Sequence, residues 1–346
     1  MILAGDIGGT KTNLALCDEH GAPQREQTFA ARDFGSLEAI VAEFLAPDER
    51  VAAASFGVAG PVESGVAKIT NLPWLIRETS LAQQLDARVT LLNDLQATAL
   101  GMLVVPASSF ATLQAAQPAL PGVGGGAGTA GSSLATATIG VIAPGTGLGE
   151  SLLVHDGHGY RALPAEAGHA DFAPTTDEQI ELLRYMRHLH GDHVSVERVL
   201  SGNGIGDLFD FCRAQAGANA GAREPSWLAG AADRNAVISE AGLAGDPLAA
   251  HALDLFAQIL GAEAGNLALR GLATGGVVIG GGIPPKIMPA LQRGSLLERF
   301  NAKGRFSDWT RALSVRVALD AKTALLGAAH HALSLLTDPS HDQGSR

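Results

Sequence analysis

A short segment near the amino terminus combines glycines with groups that bind phosphate. It reads GDIGGTKT (Gly5–Thr12) and holds a carboxylate, two adjacent glycines, a hydroxyl and an ammonium group. Glycines let backbone N–H groups approach an anion closely, because no Cβ intervenes. The segment therefore offers Gly8, Gly9, Thr10 and Lys11 as phosphate-binding candidates, and Asp6 as a candidate Mg²⁺ ligand acting through water.

This segment is not a Walker P-loop. That motif requires a glycine directly before its Lys-Ser/Thr pair, in a loop between a strand and a helix. Thr10 occupies the position of that glycine, and Asn13–Leu16 continue as a strand. Taken alone, the segment is also compatible with an ordinary glycine hairpin that carries a solvated lysine.

The pattern occurs twice in the chain. Leu3–Gly21 aligns with Val141–Gly159 at a constant offset of 138, which pairs Gly9 with Gly147. Both copies read as a strand, a glycine turn and a second strand. Chance alignment is the alternative, but agreement in type, order and register favours a duplication and two related α/β domains. The second turn adds Gly145, Thr146 and Gly147 as phosphate-binding candidates.

The elements that position these turns alternate between strand and helix, which is typical of an α/β fold. Apolar runs predict strands and helical spacing predicts helices. The predicted strands are Leu3–Ile7, Asn13–Cys17, Val51–Val58 and Val89–Leu92, and the predicted helices are Leu37–Leu45 and Leu95–Leu103.

Asn93 and Asp94 lie between a predicted strand and a predicted helix. Such positions commonly present side chains to a ligand crevice in α/β proteins. A carboxylate there can accept the proton of a substrate hydroxyl, which makes Asp94 a candidate general base. Capping of the following helix is the alternative use of Asp94, and the residues alone do not separate the two.

Other polar residues suit a sugar. Glu166 and His169 lie three residues apart in EAGH, and carboxylate and imidazole groups can bridge adjacent hydroxyls. Glu197 in VSVERV offers a further acceptor, although a lone Glu in such a segment is more often on a solvated helix face. Asn71 in ITNLPW, taken alone, is typical of a turn beside a packing Trp.

Composition narrows the class of protein. The 346 residues suffice for about two domains, and 46% hydrophobic content allows a sizeable core. The net charge of −11 argues against nucleic acid as a partner. Two cysteines make neither a disulfide framework nor a four-ligand zinc site, which favours a cytoplasmic location. No signal peptide or membrane-spanning stretch is evident, so no membrane partner is expected.

Together, these motifs resemble a known superfamily. GDIGGTKT, GTGLG and the late GGG at Gly280–Gly282 resemble the phosphate-one, phosphate-two and adenosine segments of the sugar kinase/actin/heat-shock chaperone ATPases. LPAEAGHADFAP, HVSVERVLSG, LLND and KGRF resemble the zinc-free group of bacterial glucokinases. The resemblance runs from about Ile2 to about Leu333, which is nearly the whole chain.

The resemblance implies an α/β fold with two related actin-like ATPase (ribonuclease H-like) domains and a cleft between them. The expected smaller domain comprises residues 1–115 plus about 320–346. The expected larger domain comprises residues 116–319 and includes a Gly/Ser-rich loop at 121–133, whose composition cannot bury a core.

The resemblance also implies an activity, namely ATP-dependent phosphorylation of D-glucose at its 6-hydroxyl, which feeds glucose 6-phosphate into glycolysis. Glucose and Mg-ATP are the expected ligands, with Mg²⁺ as cofactor, and a homodimer is the expected assembly. Asp94 is the implied base. The implied glucose contacts are Asn71, Asn93, Asp94, Glu166, His169 and Glu197, and Gly281 and Gly282 join the two glycine turns at the nucleotide.

The sequence departs from the family at two positions and in the glycine-rich insert after Pro121, which is unusual. Ala167 stands where Glu-Gly-Gly-His is common, which is tolerated if φ there is negative, and Lys11 stands where Asn is frequent. The related ROK (repressor and sugar kinase) proteins pair a histidine like His169 with a cysteine cluster that binds zinc. Only Cys17 and Cys212 occur in this chain, so no zinc site is expected.

Three other functions remain as alternatives. A kinase for another hexose, such as mannose, fructose or an N-acetylhexosamine, would use the same mechanism. A sugar-sensing regulator on the same fold would not need a proton acceptor like Asp94. A chaperone-like ATPase would not explain the pairing of Glu166 with His169.

Overall fold

The chain forms two compact units in the computed structural model, which describes residues 1–69, 72–117, 136–217 and 224–337. The first unit holds the described residues of Met1–Ser109, Tyr160–Pro164 and Asp320–Arg346. The second holds those of Phe110–Gly159 and Ala165–Leu319. The Gly/Ser-rich loop predicted at 121–133 lies outside the described residues.

The first unit is built on a mixed five-stranded sheet of order β3-β2-β1-β4-β8. β1 pairs antiparallel with β2, and β2 with β3, whereas β4 runs parallel to both β1 and β8. A second, three-stranded sheet is formed by β5, β6 and β7. The strands are β1 (Ile2–Ile7), β2 (Lys11–Cys17), β3 (Pro23–Ala30), β4 (Ala53–Val58), β5 (Val62–Glu63), β6 (Val66–Lys68), β7 (Leu75–Arg77) and β8 (Arg88–Asn93).

Helices cover both faces of the five-stranded sheet. Alternating side chains of β1 point to opposite faces, so Leu3 and Ile7 join one apolar cluster while Ile2 and Ala4 join another. The second cluster includes the carboxyl-terminal helix, which also packs closely against the helix that follows β8. The helices are α1 (Leu37–Phe44), α2 (Glu78–Leu85), α3 (Asp94–Gly101) and, at the carboxyl terminus, α11 (Thr323–Thr337).

The second unit contains a sheet in which the strands follow the order β11-β10-β13-β14-β9. β10 pairs antiparallel with β11 and parallel with β13, and β13 runs parallel to β14. This repeats the arrangement of β2, β1, β4 and β8, as the predicted duplication requires. The strands are β9 (Phe110–Gln114), β10 (Ile139–Pro144), β11 (Leu148–His155), β12 (Tyr160–Leu163, which groups with the first unit), β13 (Val277–Ile279) and β14 (Val315–Ala318).

Two ranges lie on the other side of the predicted domain boundaries. Residues 110–115 group with the second unit because β9 pairs antiparallel with β14. Residues 160–164 group with the first unit, where the carbonyl of Ala162 accepts a hydrogen bond from the side chain of Gln96 at 3.2 Å.

A long helix forms the centre of the second unit. α7 spans 25 residues, and its residues are buried on most sides by α5, α6 and α9. None of the helices in the described ranges is both long and apolar enough to cross a membrane. The helices of this unit are α4 (Asp177–His190), α5 (Gly202–Gln215), α6 (Arg234–Ala244), α7 (Pro247–Gly271), α8 (Met288–Leu291), α9 (Ser295–Asn301) and α10 (Ser307–Ala312).

Candidate active site

The first glycine turn connects β1 to β2. The backbone N–H of Gly8 donates to the carbonyl of Lys11 at 2.9 Å, and the N–H of Ala31 donates to the carbonyl of Thr10 at 3.0 Å. These bonds fix the turn, while the side chains of Thr10 and Lys11 are exposed at its tip. A hydroxyl donor and an ammonium group are thus both available to a phosphate.

Asp6 lies in β1, directly opposite Asn13 of β2. The side-chain amide of Asn13 donates to Asp6 Oδ2 at 3.3 Å. Burial raises the pKa of Asp6, and the bond from Asn13 acts in the opposite direction. The carboxylate borders a cavity of about 380 Å³ within the first unit. A partly buried carboxylate with one side-chain donor retains oxygen lone pairs for a hydrated Mg²⁺, so the site fits that ion.

Asp94 is the first residue of α3, and Asn93 is its N-cap. Asn93 Oδ1 accepts a hydrogen bond from the backbone N–H of Leu95 at 2.9 Å, and Asn93 Nδ2 donates to the carbonyl of Gly60 at 3.0 Å. The side chain of Gln96 completes a capping box by accepting from the N–H of Asn93. The capping role considered for Asp94 is therefore filled by its neighbour.

The position of α3 depends on a small residue in β4. A Cβ at Gly57 would lie 2.6 Å from the Cβ of Ala97, so only glycine allows this approach.

Asp94 Oδ1 accepts from the N–H of Leu95 at 2.8 Å, which directs the carboxylate toward the helix N-terminus. The positive end of the helix dipole favours a negative charge there.

The second glycine turn connects β10 to β11 and is braced by a carboxylate. The N–H of Gly145 donates to the carbonyl of Gly147 at 2.8 Å. Glu197 Oε2 accepts from the N–H of Leu148, the residue after the turn, at 2.9 Å. A Cβ at Gly147 would collide with the same carboxylate. Glu197 is thus held directly against the predicted phosphate-binding turn.

Glu166 is the N-cap of a single turn of 3-10 helix at Ala167–His169, and His169 is its last residue. Their side chains are 69% and 63% exposed, and Glu166 Oε2 lies 4.0 Å from His169 Nε2. Both groups are therefore free of the core and close enough to contact neighbouring hydroxyls of one ligand. Ala167 is absent from the residues with positive φ, so the condition for tolerating this family departure is met.

The two segments that carry the predicted sugar contacts of the second unit both approach one residue, Leu148. A Cβ at Gly168 would collide with the carbonyl of Leu148, and Glu197 binds the N–H of Leu148. The N–H of Val196 also donates to the carbonyl of Ala170 at 2.8 Å, which joins the EAGH and VSVER segments. The structure thus places the backbone segments that carry Glu166, His169 and Glu197 beside the start of β11.

A cavity of about 410 Å³ opens beside this cluster within the second unit. Ser201 caps α5 by accepting from the N–H of Gly204 at 3.2 Å, and the N–H of Gly202 donates to the carbonyl of Gly145 at 2.9 Å. These bonds bring the start of α5 against the glycine turn. The cavity lining includes Thr146, Glu197, Ser201, Asn203, Arg234 and Asn235.

The late glycine segment follows β13 in the same unit. The N–H of Gly280 donates to the carbonyl of Ile142 at 2.8 Å. Gly281 has φ of +83°, and a Cβ there would collide with the carbonyl of Pro144, so backbone geometry requires glycine. A Cβ at Gly282 would meet open space, which leaves room for a ligand at that position.

Several site residues were not found from the sequence. The Ser201 cap and the polar cavity residues on α5 and α6 were missed, although the Ser-Gly-Asn run is a recognisable helix start. Asn71, a predicted sugar contact, lies outside the described residues.

The described residues offer neither a metal-binding cluster nor a reactive cysteine. No group of three or more His, Cys, Asp or Glu side chains that could hold a metal is found within the described ranges. Burial raises the pKa of Cys17 to about 11 and that of Cys212 to about 12, so neither thiol is a ready thiolate.

Similarity to known proteins places this chain in a single family. The sequence profile of the glucokinase family matches residues 3–335. A glucokinase of Nostoc sp. is 36% identical over 351 residues, covering 95% of this chain and 98% of the relative. A glucokinase of Aromatoleum aromaticum is 39% identical over 332 residues, covering 94% of this chain and 93% of the relative.

Solved structures agree with this assignment. A glucokinase from an Antarctic psychrotroph has a TM-score of 0.80 and 29% identity, covering 96% of this chain and 98% of that one. A ROK family glucokinase from Streptomyces griseus, solved with glucose and AMPPNP, has a TM-score of 0.61 at 23% identity, covering 96% and 99%. The predicted α/β fold class is thereby confirmed. The chain belongs to the glucokinase family, the enzymes that phosphorylate glucose with ATP.

Proposed function

We propose that the enzyme transfers the γ-phosphoryl group of Mg-ATP to the 6-hydroxyl of D-glucose, with Asp94 as the proton acceptor. The observation that carries this proposal is the contact of Glu197 with the residue following the second glycine turn, at 2.9 Å. The carboxylate that we propose as a sugar ligand is thereby hydrogen-bonded to the hairpin that carries the proposed phosphate-binding turn. A sugar bound by Glu197 would have its hydroxyls next to the phosphates that the turn holds.

The chemical step needs a positioned hydroxyl, neutralised phosphate charge and a proton acceptor. The oxygen of the 6-hydroxyl forms a bond to the γ-phosphorus while the bond to the β,γ-bridging oxygen breaks. The hydroxyl proton moves to a carboxylate oxygen of Asp94, and ADP leaves with the bridging oxygen. Because Asn93 caps α3, the carboxylate of Asp94 starts the step from a fixed backbone position.

The remaining residues bind the substrates. Glu166, His169, Glu197, Asn71 and Asn93 would contact the sugar hydroxyls. The cap bonds of Asn93 use its Oδ1 and one Nδ2 hydrogen, so at most part of its bonding capacity remains for a sugar. Gly8, Gly9, Thr10, Lys11, Gly145, Thr146, Gly147, Gly281 and Gly282 would bind the nucleotide.

Asp6 would hold Mg²⁺ through water. When bound, the ion would neutralise charge on the β- and γ-phosphates. The chain itself would contribute the carboxylate of Asp6, whose Oδ2 accepts a hydrogen bond from Asn13 Nδ2 at 3.3 Å. The side chains of Thr10 and Lys11 would add hydrogen-bond donors. The cytoplasmic location expected from the cysteine content and the homodimer expected from the resemblance to glucokinases complete the proposal.

A coupled assay of ADP release tests the proposal. Wild type would be compared with Asp94→Asn on glucose, mannose, fructose, galactose and N-acetylglucosamine. Turnover on glucose, lost in the variant with glucose binding retained, is the expected result. If another hexose were the preferred substrate, the assignment of glucose as substrate would be wrong and the proposed mechanism would stand. Glucose binding without turnover of any sugar would reject the proposed reaction in favour of a sensor.

A further inference from the structure

Three polar side chains form a straight row across neighbouring strands of the first unit. Asp6 of β1 lies directly opposite Asn13 of β2, and Asn13 lies directly opposite Thr28 of β3. Residues opposite each other on adjacent strands point to the same face of the sheet. The row therefore runs from the sheet interior at Asp6 to the exposed edge strand at Thr28.

Hydrogen bonds join the row in one direction. Thr28 Oγ1 donates to Asn13 Oδ1 at 2.8 Å, and Asn13 Nδ2 donates to Asp6 Oδ2 at 3.3 Å. A primary amide has one accepting and one donating end. Because a carboxylate only accepts, the Nδ2 end of Asn13 faces Asp6, and the Thr28 hydroxyl holds the opposite, accepting end of the amide. Rotation of the amide by 180° would place its oxygen against a carboxylate oxygen and leave the Thr28 hydroxyl facing an NH₂ group.

The row also borders open space. Asp6, Asn13 and Thr28 all line the cavity of about 380 Å³ in this unit. A polar cavity of that size can hold several ordered waters. Asp6 and the two residues that hold its carboxylate thus border the same open space.

We propose that Thr28 and Asn13 are positioning residues that orient the Asp6 carboxylate toward hydrated Mg²⁺. This inference rests on the proposed role of Asp6 in the kinase reaction and extends it to an edge strand that carries no motif. Outer-shell partners of a metal-binding carboxylate fix its rotamer and contribute to metal affinity. Loss of the Thr28 hydroxyl would free the amide of Asn13 to rotate, and Asp6 would lose its only side-chain donor within the described chain.

Thr28→Val is the principal test, because valine matches threonine in shape and suits a strand. The Mg²⁺ concentration for half-maximal activity should rise about 3- to 10-fold, with the larger effect on this constant than on kcat. Strengthening of ADP binding by Mg²⁺, measured by calorimetry without glucose, should weaken by a similar factor. Thr28→Ser retains the hydroxyl and should behave as wild type. Thr112→Val, at another exposed edge-strand threonine, is the matched control.

A double-mutant cycle separates orientation from a local structural effect. In an Asn13→Leu background, Thr28→Val should add nothing to the Mg²⁺ constant, because the connection to Asp6 is already broken. Independent, additive effects would overturn the proposal, as would an unchanged Mg²⁺ dependence in Thr28→Val. A wild type that binds Mg-ADP but turns over no sugar would reject the proposed function alone. A wild type whose ADP binding ignores Mg²⁺ would reject this inference.

Discussion

Glu197 and Gly147 are packed so closely that the carboxylate occupies the space where a side chain of residue 147 would begin. Gly147→Ala should therefore displace either Glu197 or the phosphate-binding turn. Misplacement of reacting groups by about 1 Å can cost about 10²-fold in rate. We expect kcat/KM for glucose to fall by about that factor in steady-state assays.

Gly159→Ala is the matched control for this substitution. Gly159 follows β11, lacks positive φ, and a Cβ there would meet nothing within 4 Å. Its activity should match wild type. Equal losses in both variants would mean that general loosening of the hairpin, and not the contact with Glu197, explains the result.

Removal of the proton acceptor should affect the chemical step and leave glucose binding intact. Asp94→Asn keeps the size of the side chain and its place at the start of α3. The loss of general base catalysis should lower kcat by about 10²-fold or more. Glucose affinity, measured by intrinsic fluorescence or calorimetry, should change by less than about threefold, since one pairwise hydrogen bond is exchanged. A kcat near that of wild type would exclude Asp94 as the base.

The cap on α3 gives a separate prediction for its neighbour. Asn93→Ala removes one of the two side-chain acceptors for the N–H of Leu95 and the donor to Gly60. The free energy of unfolding should fall by about 0.5–2 kcal/mol, as for other lost caps. Denaturant titration measures this change, and Asn93→Ser, which keeps a capping oxygen, should recover part of it. A raised KM for glucose with unchanged stability would instead assign Asn93 to sugar binding alone.

A buried carboxyl pair predicts an unusual dependence of stability on pH. Glu150 in β11 is 1% exposed, and neither of its oxygens accepts a hydrogen bond in the described structure. Burial, with repulsion from Glu263, raises the pKa of Glu150 to about 8, although Arg270 Nη1, 3.8 Å from Glu150 Oε2, acts in the opposite direction. Glu263 is better satisfied, since it bonds Arg270 at 2.5 Å and Asn266 at 3.0 Å. Glu150 is therefore protonated in the folded protein at neutral pH.

The direction in which stability changes with pH follows from which state, folded or unfolded, holds the Glu150 proton. The unfolded chain releases the Glu150 proton near pH 4.5, whereas the folded protein keeps it until about pH 8. Between these values the folded state binds more protons, so the free energy of unfolding falls as pH rises and levels off above the folded pKa.

Glu150→Gln should remove this contribution. The variant should match wild type near pH 5 and exceed it by a few kcal/mol near pH 8.5, since one pKa unit corresponds to about 1.4 kcal/mol. Thermal or denaturant unfolding across this range measures the difference. Glu240→Gln, at an exposed position on α6, should show no such divergence. Parallel pH curves for wild type and Glu150→Gln would contradict the prediction.

The sequence predicted the first unit best where periodicity and turn chemistry were strong. The predicted strand Val89–Leu92 appears as β8, and the predicted helix Leu95–Leu103 appears as α3 within two residues at each end. β3 was missed because its run of polar residues, PQREQTFA, belongs to an exposed edge and shows no apolar alternation. That strand supplies Thr28, so the support of Asp6 could not be predicted either.

In the second unit, prediction from the sequence was limited because the important contacts join residues that are distant in the chain. EAGH and VSVERV were identified through the family resemblance, but no pattern in either segment shows that both pack on Leu148. The need for glycine at position 168 arises from a carbonyl 20 residues earlier in the chain. α7 was not predicted because it is apolar on most sides, which leaves no amphipathic stripe to detect.

The central position of α7 has a consequence for how the second unit opens. Its backbone amides lie beneath α5, α6 and α9, so solvent deuterium can reach them only when those helices separate. Amide exchange along Leu253–Leu267 should therefore report global unfolding of this unit. The exposed turn at Ala167–His169 should exchange through local fluctuations, and glucose should slow exchange there without changing the rate within α7.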